Sequence, residues 1–208
     1  PGVEVQRVHD QAMSPDGGYI LMGDEGTNVV RLVRPDGSIL WQYAFPADQQ
    51  LESGAVAYGA AIVVVGGQNG KLYAFSRDGV LLWEKVRAGE EVQVAVSEMG
   101  DRIYAGGGAG KLSCYSHAGA VLWSRVVNTR GWTLWQLSAS ADGNRLVVRT
   151  NSDIILCDGD GAEIGFYELM ALIPYLAFLV AIVGLLPSPG VLAKGLHYLA
   201  TVAPSRAV

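Results

Sequence analysis

The feature that most constrains the fold of this sequence is a short segment that recurs along the chain. The copies are residues 28–41, 71–83, 111–123 and 153–164. Each copy passes from an apolar stretch into a turn that contains glycine, and the first three end in Leu-Trp. The turn glycines are Gly37, Gly79, Gly119 and Gly161, which are 42, 40 and 42 residues apart. Spacing this regular predicts a repeat architecture in which each unit packs on the next.

A period of this length is typical of a four-stranded β-propeller blade. In the second unit we predict strands near residues 54–58, 61–66, 71–76 and 80–86, because apolar runs there are separated by glycine-containing turns. The predicted fold class is therefore all-β, a β-propeller of about four four-stranded blades. An incomplete ring is an alternative to a closed one. The recurring tryptophans are predicted to be large wedges between neighbouring blades.

The fourth copy departs from the pattern. Gly165 stands where the other copies have tryptophan, and the sequence then becomes strongly apolar. We therefore expect the last strand of this blade to come from elsewhere in the chain, and the N-terminal residues 3–8 are the candidate.

The repeat resembles that of the PQQ-like, WD-like repeat propellers. Residues 71–83, which begin Lys-Leu-Tyr-Ala-Phe and end Leu-Trp, carry the resemblance best, and it extends over about residues 3–164. It implies a propeller fold and leaves the activity open, because such propellers include quinone-dependent alcohol dehydrogenases as well as non-catalytic scaffold proteins. The enzymes are longer and carry a Ca²⁺ site and a pair of adjacent cysteines. This chain has only Cys114 and Cys157, which are not adjacent.

A long apolar segment follows the repeats. No charged residue occurs between Leu169 and Ala193, and Leu169–Leu186 would span about 27 Å as a helix, enough to cross a bilayer. The predicted domains are 1–164 for the propeller repeats, 165–187 for a transmembrane helix, and 188–208 for a short interfacial helix and tail. Basic residues after the segment favour a cytoplasmic C-terminus and an extracytoplasmic propeller. A buried packing helix is the alternative.

The sequence shows no catalytic constellation. The glycine run 106–110 lacks the Lys and Ser/Thr of a phosphate-binding loop, and residues 158–163 lack the spacing of a calcium loop. Both fall at repeat turns, and the two cysteines fall on corresponding strands where burial is expected. A net charge of −5 argues against a nucleic-acid partner. We therefore predict no catalytic residue, no cofactor and no metal site.

Two tryptophans, Trp132 and Trp135, lie outside the Leu-Trp register. The usual burial of tryptophan favours packing between blades. The alternative is an exposed aromatic patch that binds a partner, and these two residues are the candidate partner-binding residues.

These observations predict a non-catalytic, membrane-anchored propeller that serves as a protein-binding or scaffolding module. Its expected partners are a protein or larger membrane complex and the lipid bilayer. The alternatives are a subunit or fragment of a quinoprotein-like oxidoreductase and an extracytoplasmic sensor domain.

Overall fold

The computed structural model of the protein describes residues 8–24, 28–46, 51–87, 91–127 and 133–168. These residues form four antiparallel sheets, each of four strands paired in chain order. We call the sheets blades 1 to 4. The strands are β1 Val8–Met13, β2 Ile20–Asp24, β3 Val29–Val33 and β4 Ile39–Ala44 in blade 1; β5 Leu51–Val56, β6 Val63–Gly67, β7 Lys71–Phe75 and β8 Leu81–Val86 in blade 2; β9 Gln93–Val96, β10 Arg102–Gly106, β11 Lys111–Ser116 and β12 Val121–Val126 in blade 3; and β13 Gln136–Ala139, β14 Arg145–Arg149, β15 Asp153–Asp158 and β16 Glu163–Glu168 in blade 4.

This arrangement confirms the all-β, propeller-like fold and its four four-stranded units. The first strands of successive blades are neighbours, since β1 packs against β5, β5 against β9, and β9 against β13. The strands predicted at 71–76 and 80–86 lie within a residue of β7 and β8. The strand predicted at 54–58 begins earlier and ends at Val56, because residues 58–60 form a short 3₁₀ turn.

The prediction for the last strand of blade 4 was wrong. The chain itself supplies that strand as β16, which lies beside β15 at the edge of the sheet. A β-ladder is held by backbone hydrogen bonds, so the loss of the tryptophan at Gly165 does not prevent a strand from forming there. Of the expected N-terminal segment 3–8, only Val8 is described, and it pairs with Asp24 of blade 1.

The turn between the third and fourth strands has the same form in every blade. In blade 2 the amide of Gly79 donates to the carbonyl of Ser76 at 3.0 Å, and the amide of Ser76 donates to Val80 at 2.9 Å. Gly79 has φ of 82°, a conformation that residues with a Cβ rarely adopt. The turn therefore requires the glycine that marks the repeat in the sequence.

Each pair of successive blades encloses an apolar core. Leu32 of blade 1 and Tyr73 of blade 2 belong to the first core, Ala74 of blade 2 and Ile103 of blade 3 to the second, and Cys114 of blade 3 and Cys157 of blade 4 to the third. Strands of blades 2 and 3 are consequently buried on both faces, and every residue of β6 is buried.

The recurring tryptophans join one blade to the next, as predicted. The indole Nε1 of Trp41 donates to the carbonyl of Arg77 at 2.9 Å, that of Trp83 to His117 at 2.9 Å, and that of Trp123 to Gly159 at 2.8 Å. In each case the acceptor lies two residues before the turn glycine of the following blade. The indole packs on that glycine so closely that a Cβ at Gly79 would lie 2.7 Å from Cγ of Trp41.

A second set of glycines permits close approach between blades. Gly66 and Gly106 hold corresponding places, since Gly66 pairs with Leu72 and Gly106 with Leu112. A Cβ at Gly66 would lie 2.0 Å from the carbonyl oxygen of Val92, and one at Gly106 would lie 2.6 Å from Cδ1 of Leu134. Val92 and Leu134 come just before the first strands of blades 3 and 4. The following blade can therefore approach this closely only because Gly66 and Gly106 have no side chain.

Most of the predicted transmembrane segment lies outside the described residues. Its first four residues, 165–168, belong to β16, and the remainder, with the tail 188–208, falls in the part of the chain that is not described. Among the residues from 8 to 168 that the structure describes, no helix has the length and apolar character needed to cross a membrane.

Candidate functional site

Blade 4 lacks both features that join the other blades. Gly165 replaces the tryptophan of its last strand. Arg149, which pairs with Ile154, stands at the place that Gly66 and Gly106 hold in blades 2 and 3. A further blade of the same kind would meet the Arg149 side chain where the other blades leave space. The outer side of blade 4 therefore differs from the sides on which blades 2 and 3 receive the following blade.

The burial pattern of blade 4 shows the same difference from blade 2. Along β14, Leu146 and Val148 are buried, whereas Arg145, Val147 and Arg149 are exposed. The corresponding strand β6 of blade 2 is buried throughout. The side of blade 4 that faces away from blade 3 is therefore a solvent-exposed sheet face.

A shallow groove runs over this exposed face. We call it the blade-4 surface, and it is lined by Gln136, Leu137, Ser138, Val147, Arg149 and Ile154. Val147 is 38% exposed although it is a large apolar residue. An apolar centre with polar and arginine side chains around it is the composition found at protein–protein interfaces.

Trp135 directly precedes strand β13, which contributes residues to the blade-4 surface. Its backbone N–H donates to the carbonyl of Arg149 at 2.8 Å, which fixes the tryptophan beside the strand that carries Arg149. Its side chain is 50% exposed. Tryptophan and arginine are the residue types that most often dominate binding energy at interfaces. A role for Trp135 in partner binding stays a prediction, and Trp132 lies outside the described residues.

The sequence contains a signal for the blade-4 surface. Residues 61–65 of blade 2 are entirely apolar, whereas the corresponding strand of blade 4 carries arginine at both ends, Arg145 and Arg149. Arginine at both ends of a short strand predicts that the face shared by Arg145 and Arg149 is open to solvent. It distinguishes blade 4 from blade 2.

A network of polar contacts lies between blades 3 and 4. The guanidinium of Arg102 donates to the carbonyl of Gly159 at 2.6 Å and lies 3.5 Å from the carboxylate of Asp160. Asp158 accepts from the amides of Asp160 and Ala162 at 3.0 and 2.8 Å. This carboxylate is thus used inside the turn, which confirms that residues 158–163 form a repeat turn.

Hydrogen bonds also lower the pKa of Asp142, which lies in the first turn of blade 4. The Ser140 hydroxyl donates to its carboxylate at 2.6 Å, and the backbone and side-chain N–H groups of Asn144 donate at 2.9 Å. These donors lower the pKa of Asp142 to about 2. Within the described ranges, no three His, Cys, Asp or Glu side chains are grouped so as to hold a metal ion.

The two cysteines are buried, as predicted. Both side chains are fully buried between blades 3 and 4. Burial raises the pKa of each thiol to about 11, so both are protonated near neutral pH. A protonated, buried thiol is a poor nucleophile.

Comparison with known proteins supports the resemblance of the repeat. A search of curated proteins found no match to the chain. A family model described as outer membrane protein assembly factor BamB, built on PQQ-type repeats, matches residues 4–155, which is well over half of the chain. This protein therefore belongs to the BamB family of PQQ-repeat propellers.

Proposed function

We propose that this protein is a non-catalytic scaffold that binds a protein partner in a membrane-associated assembly through the blade-4 surface. Membership of the BamB family supports the setting, because the family is described as an outer membrane protein assembly factor. The observation that carries the proposal is the exposed end of blade 4. There a sheet face that is buried in blades 2 and 3 presents Val147 and Arg149 to solvent, and the exposed Trp135 precedes the neighbouring strand β13.

The chemistry of the blade-4 surface suits recognition of another protein. Val147 and the partly buried Ile154 offer apolar area, whose burial contributes about 25 cal/mol per Å². Arg149 can pair with a carboxylate of the partner, and Trp135 adds a large, rigid contact. Such anchors at the centre of an interface commonly carry most of its affinity.

The membrane setting is part of the same proposal. The uncharged stretch that begins at Leu169 would anchor the chain with one crossing, and the propeller would lie outside the cytoplasm. The strand β16 ends at Glu168, so the proposed anchor follows blade 4 directly. The blade-4 surface would then belong to the blade next to the anchor in sequence.

Affinity purification of the full chain from membranes tests this function. Trp135→Ala and Arg149→Glu should remove one specific membrane-associated protein from the purified complex, measured by quantitative mass spectrometry after solubilisation in mild detergent. The matched controls are Tyr58→Ala and Arg125→Glu, because Tyr58 is 48% exposed and Arg125 is exposed on β12 of another blade. Equal recovery of every co-purified protein with all four variants would show that the blade-4 surface is not the binding site.

A further inference from the structure

The outer strands of blades 2 and 3 end in exposed apolar residues. Val86 is the last residue of β8 and Val126 the last of β12, and each is 71% exposed. They hold the same place in the repeat, since each lies seven residues after the turn glycine of its blade, Gly79 or Gly119.

The two strand ends lie side by side. The guanidinium of Arg87, which follows Val86, donates at 2.9 Å to the carbonyls of Ala105 and Lys111 in blade 3. Lys111 in turn pairs with Val126 in the ladder between β11 and β12. The end of β8 is therefore next to the end of β12, and the two valines belong to one surface.

Basic side chains surround the two valines. Lys85 and Arg125 directly precede them, and Lys111 is the ladder partner of Val126. Lys111 and Arg125 are exposed, and Lys85 is half-buried. We call this surface the basic rim, and its residues are Lys85, Val86, Arg87, Lys111, Arg125 and Val126.

The acidic residues at this end of blades 2 and 3 are partly neutralised. The carboxylate of Glu84 lies 3.2 Å from the ammonium of Lys71, and Glu52 accepts from the side-chain amide of Gln93 at 3.1 Å. Glu91, just before β9, is exposed. The basic rim therefore keeps an excess of positive charge among the described residues.

The opposite edge of the blades is acidic. It is formed by the turns that join the first strand to the second and the third strand to the fourth in each blade. These turns, all of them described, contain seven acidic residues and two arginines, Arg34 and Arg77. An anionic surface would attract the basic rim and repel the acidic turns.

The chain leaves blade 4 at the edge where the basic rim lies. Strand β16 ends at Glu168, seven residues after Gly161, which is the place of Val86 and Val126 in their own blades. The uncharged stretch proposed above as the anchor begins at the next residue, Leu169. The end of β16 and the basic rim are thus on the same side of the blades.

We propose that the basic rim lies on the surface of an anionic lipid bilayer, with Val86 and Val126 at the level of the headgroups. Lys85, Lys111 and Arg125 pair there with lipid phosphates, and the acidic turns point away from the membrane. Charge complementarity identifies the occupant, because exposed apolar side chains ringed by basic ones suit an anionic lipid interface. The inference rests on the membrane anchor proposed above, which holds this side of the blades near the bilayer.

Quenching of a fluorescent label by modified lipid tests the contact. A thiol-reactive fluorophore is attached to Val86→Cys or Val126→Cys in the full chain, whose own cysteines are buried, and the treated parent chain gives the background. Each chain is reconstituted into vesicles of phosphatidylcholine and phosphatidylglycerol, with or without a lipid that carries a nitroxide on its headgroup. We expect the nitroxide to lower the fluorescence at least about twofold, because a label on the basic rim lies within the headgroup layer.

The matched controls carry the label at the other end of the same outer strands. Val80→Cys and Val121→Cys are suitable, because these valines are 61% and 59% exposed. Val121 is five residues from Val126 on β12, about 17 Å along the strand. Labels at these two positions should be quenched far less.

Charge reversal separates lipid contact from chance proximity. Lys85→Glu combined with Lys111→Glu should restore most of the fluorescence of the label at Val126→Cys. Salt at about 1 M should do the same, because the Debye length falls to about 3 Å. Arg34→Glu combined with Arg77→Glu reverses as many charges at the acidic turns and should leave the quenching unchanged. All these chains should stay in the membrane, since the anchor does not depend on the basic rim.

Three results would overturn the inference while leaving the anchor intact. The first is equal quenching of rim and control labels in a chain that resists a carbonate wash. The second is quenching that survives both charge reversal and high salt. The third is shielding of the rim labels in native membranes but not in protein-free vesicles, because the occupant would then be a protein. Release of the full chain by carbonate would instead overturn the anchor, and the orientation proposed here with it.

Discussion

The indole N–H of Trp83 donates a hydrogen bond of 2.9 Å to the carbonyl of His117, which lies 34 residues further along the chain. This bond crosses from blade 2 to blade 3, and Trp83 also packs against Tyr115 at a ring separation of 6.0 Å. The same arrangement joins blade 1 to blade 2 and blade 3 to blade 4. Contacts between successive blades are thus repeated along with the sequence.

Removing one of these indoles should loosen the whole series of blades. We expect Trp83→Ala to reduce the free energy of unfolding by about 2–3 kcal/mol, less than for a fully buried tryptophan because the ring is half-buried. Trp83→Phe keeps most of the apolar contact and should lose only the hydrogen bond, worth about 1 kcal/mol. Urea denaturation followed by far-UV circular dichroism measures both values.

Trp135→Phe is the control for the tryptophan variants, since Trp135 is half exposed and its side chain is outside this register. Its unfolding midpoint should stay close to that of the parent chain. A loss of unfolding free energy as large as that of Trp83→Ala would mean that the Trp135 side chain also stabilises the fold by packing. The contact between blades would then not distinguish the recurring tryptophans from Trp135.

Gly66 allows blade 3 to approach blade 2, and a methyl group there should force the two blades apart. The added Cβ would lie 2.0 Å from the backbone oxygen of Val92, and a backbone atom cannot move aside as a flexible side chain can. We expect Gly66→Ala to cost about 1–3 kcal/mol, the range for overpacked sites, measured by urea denaturation.

Gly18→Ala provides the comparison for Gly66→Ala. Its Cβ would meet only the carboxylate of Asp16, at 3.2 Å, and that exposed side chain can rotate away. Gly18→Ala should change the free energy of unfolding by no more than about 0.5 kcal/mol, as most surface substitutions do. If the two alanine variants were equally stable, close approach at Gly66 would not be a requirement of the fold.

The blades could be predicted from the sequence because each one is determined by residues that lie close together in the chain. A turn glycine with positive φ and the strands around it are determined by residues close in the chain, so the period was readable from Gly37, Gly79 and Gly119. The role of Gly66 was not readable, since it depends on a carbonyl of the next blade. The same holds for the acceptor carbonyls of the tryptophans, which belong to turns in the following repeat.

The candidate site was harder to predict for a similar reason. Trp135 was identified from its position outside the register, yet its exposure is a property of the packed blades. The open face of blade 4 depends on two substitutions, Gly165 in place of tryptophan and Arg149 in place of glycine, which can be recognised only by comparison with blades 2 and 3. The tryptophan serves the contact between blades and is not needed for the strand itself, so Gly165 does not prevent β16 from forming, contrary to the prediction.

The buried thiols should make stability depend on pH in the alkaline range. Burial raises the pKa of Cys114 and Cys157 from 9.0 to about 11 in the folded protein, so the unfolded chain ionises first. Their contribution is complete below pH 9 and is lost as the pH rises through 11. Urea unfolding at pH 7, 9 and 10.5 should show a falling free energy, and the fall should be smaller in Cys157→Ala.

Thiol labelling provides a separate check on the cysteines. At pH 8 an aromatic disulfide reagent should fail to react with the folded chain and should modify both cysteines after unfolding in urea. Rapid reaction of either thiol in the folded chain, or an unfolding free energy that is constant from pH 7 to 10.5, would contradict their burial between blades 3 and 4.

The proposed anchor predicts where the chain should partition in cells. A chain that ends at Glu168 retains β16 and all four blades, so it is the proper comparison with the full chain; one that ends at Glu163 would lack most of a strand. We expect only the full chain to remain in the membrane pellet after a carbonate wash, because the uncharged residues from 169 onwards can cross the bilayer. The shorter chain should appear in the supernatant with an unchanged unfolding midpoint, which shows that its blades are intact. External protease should then cut the propeller of the full chain in intact cells or spheroplasts.

Release of both chains by carbonate would contradict the anchor and would favour a segment that packs against protein. Retention of both chains in the pellet would mean that the blades themselves attach to the membrane.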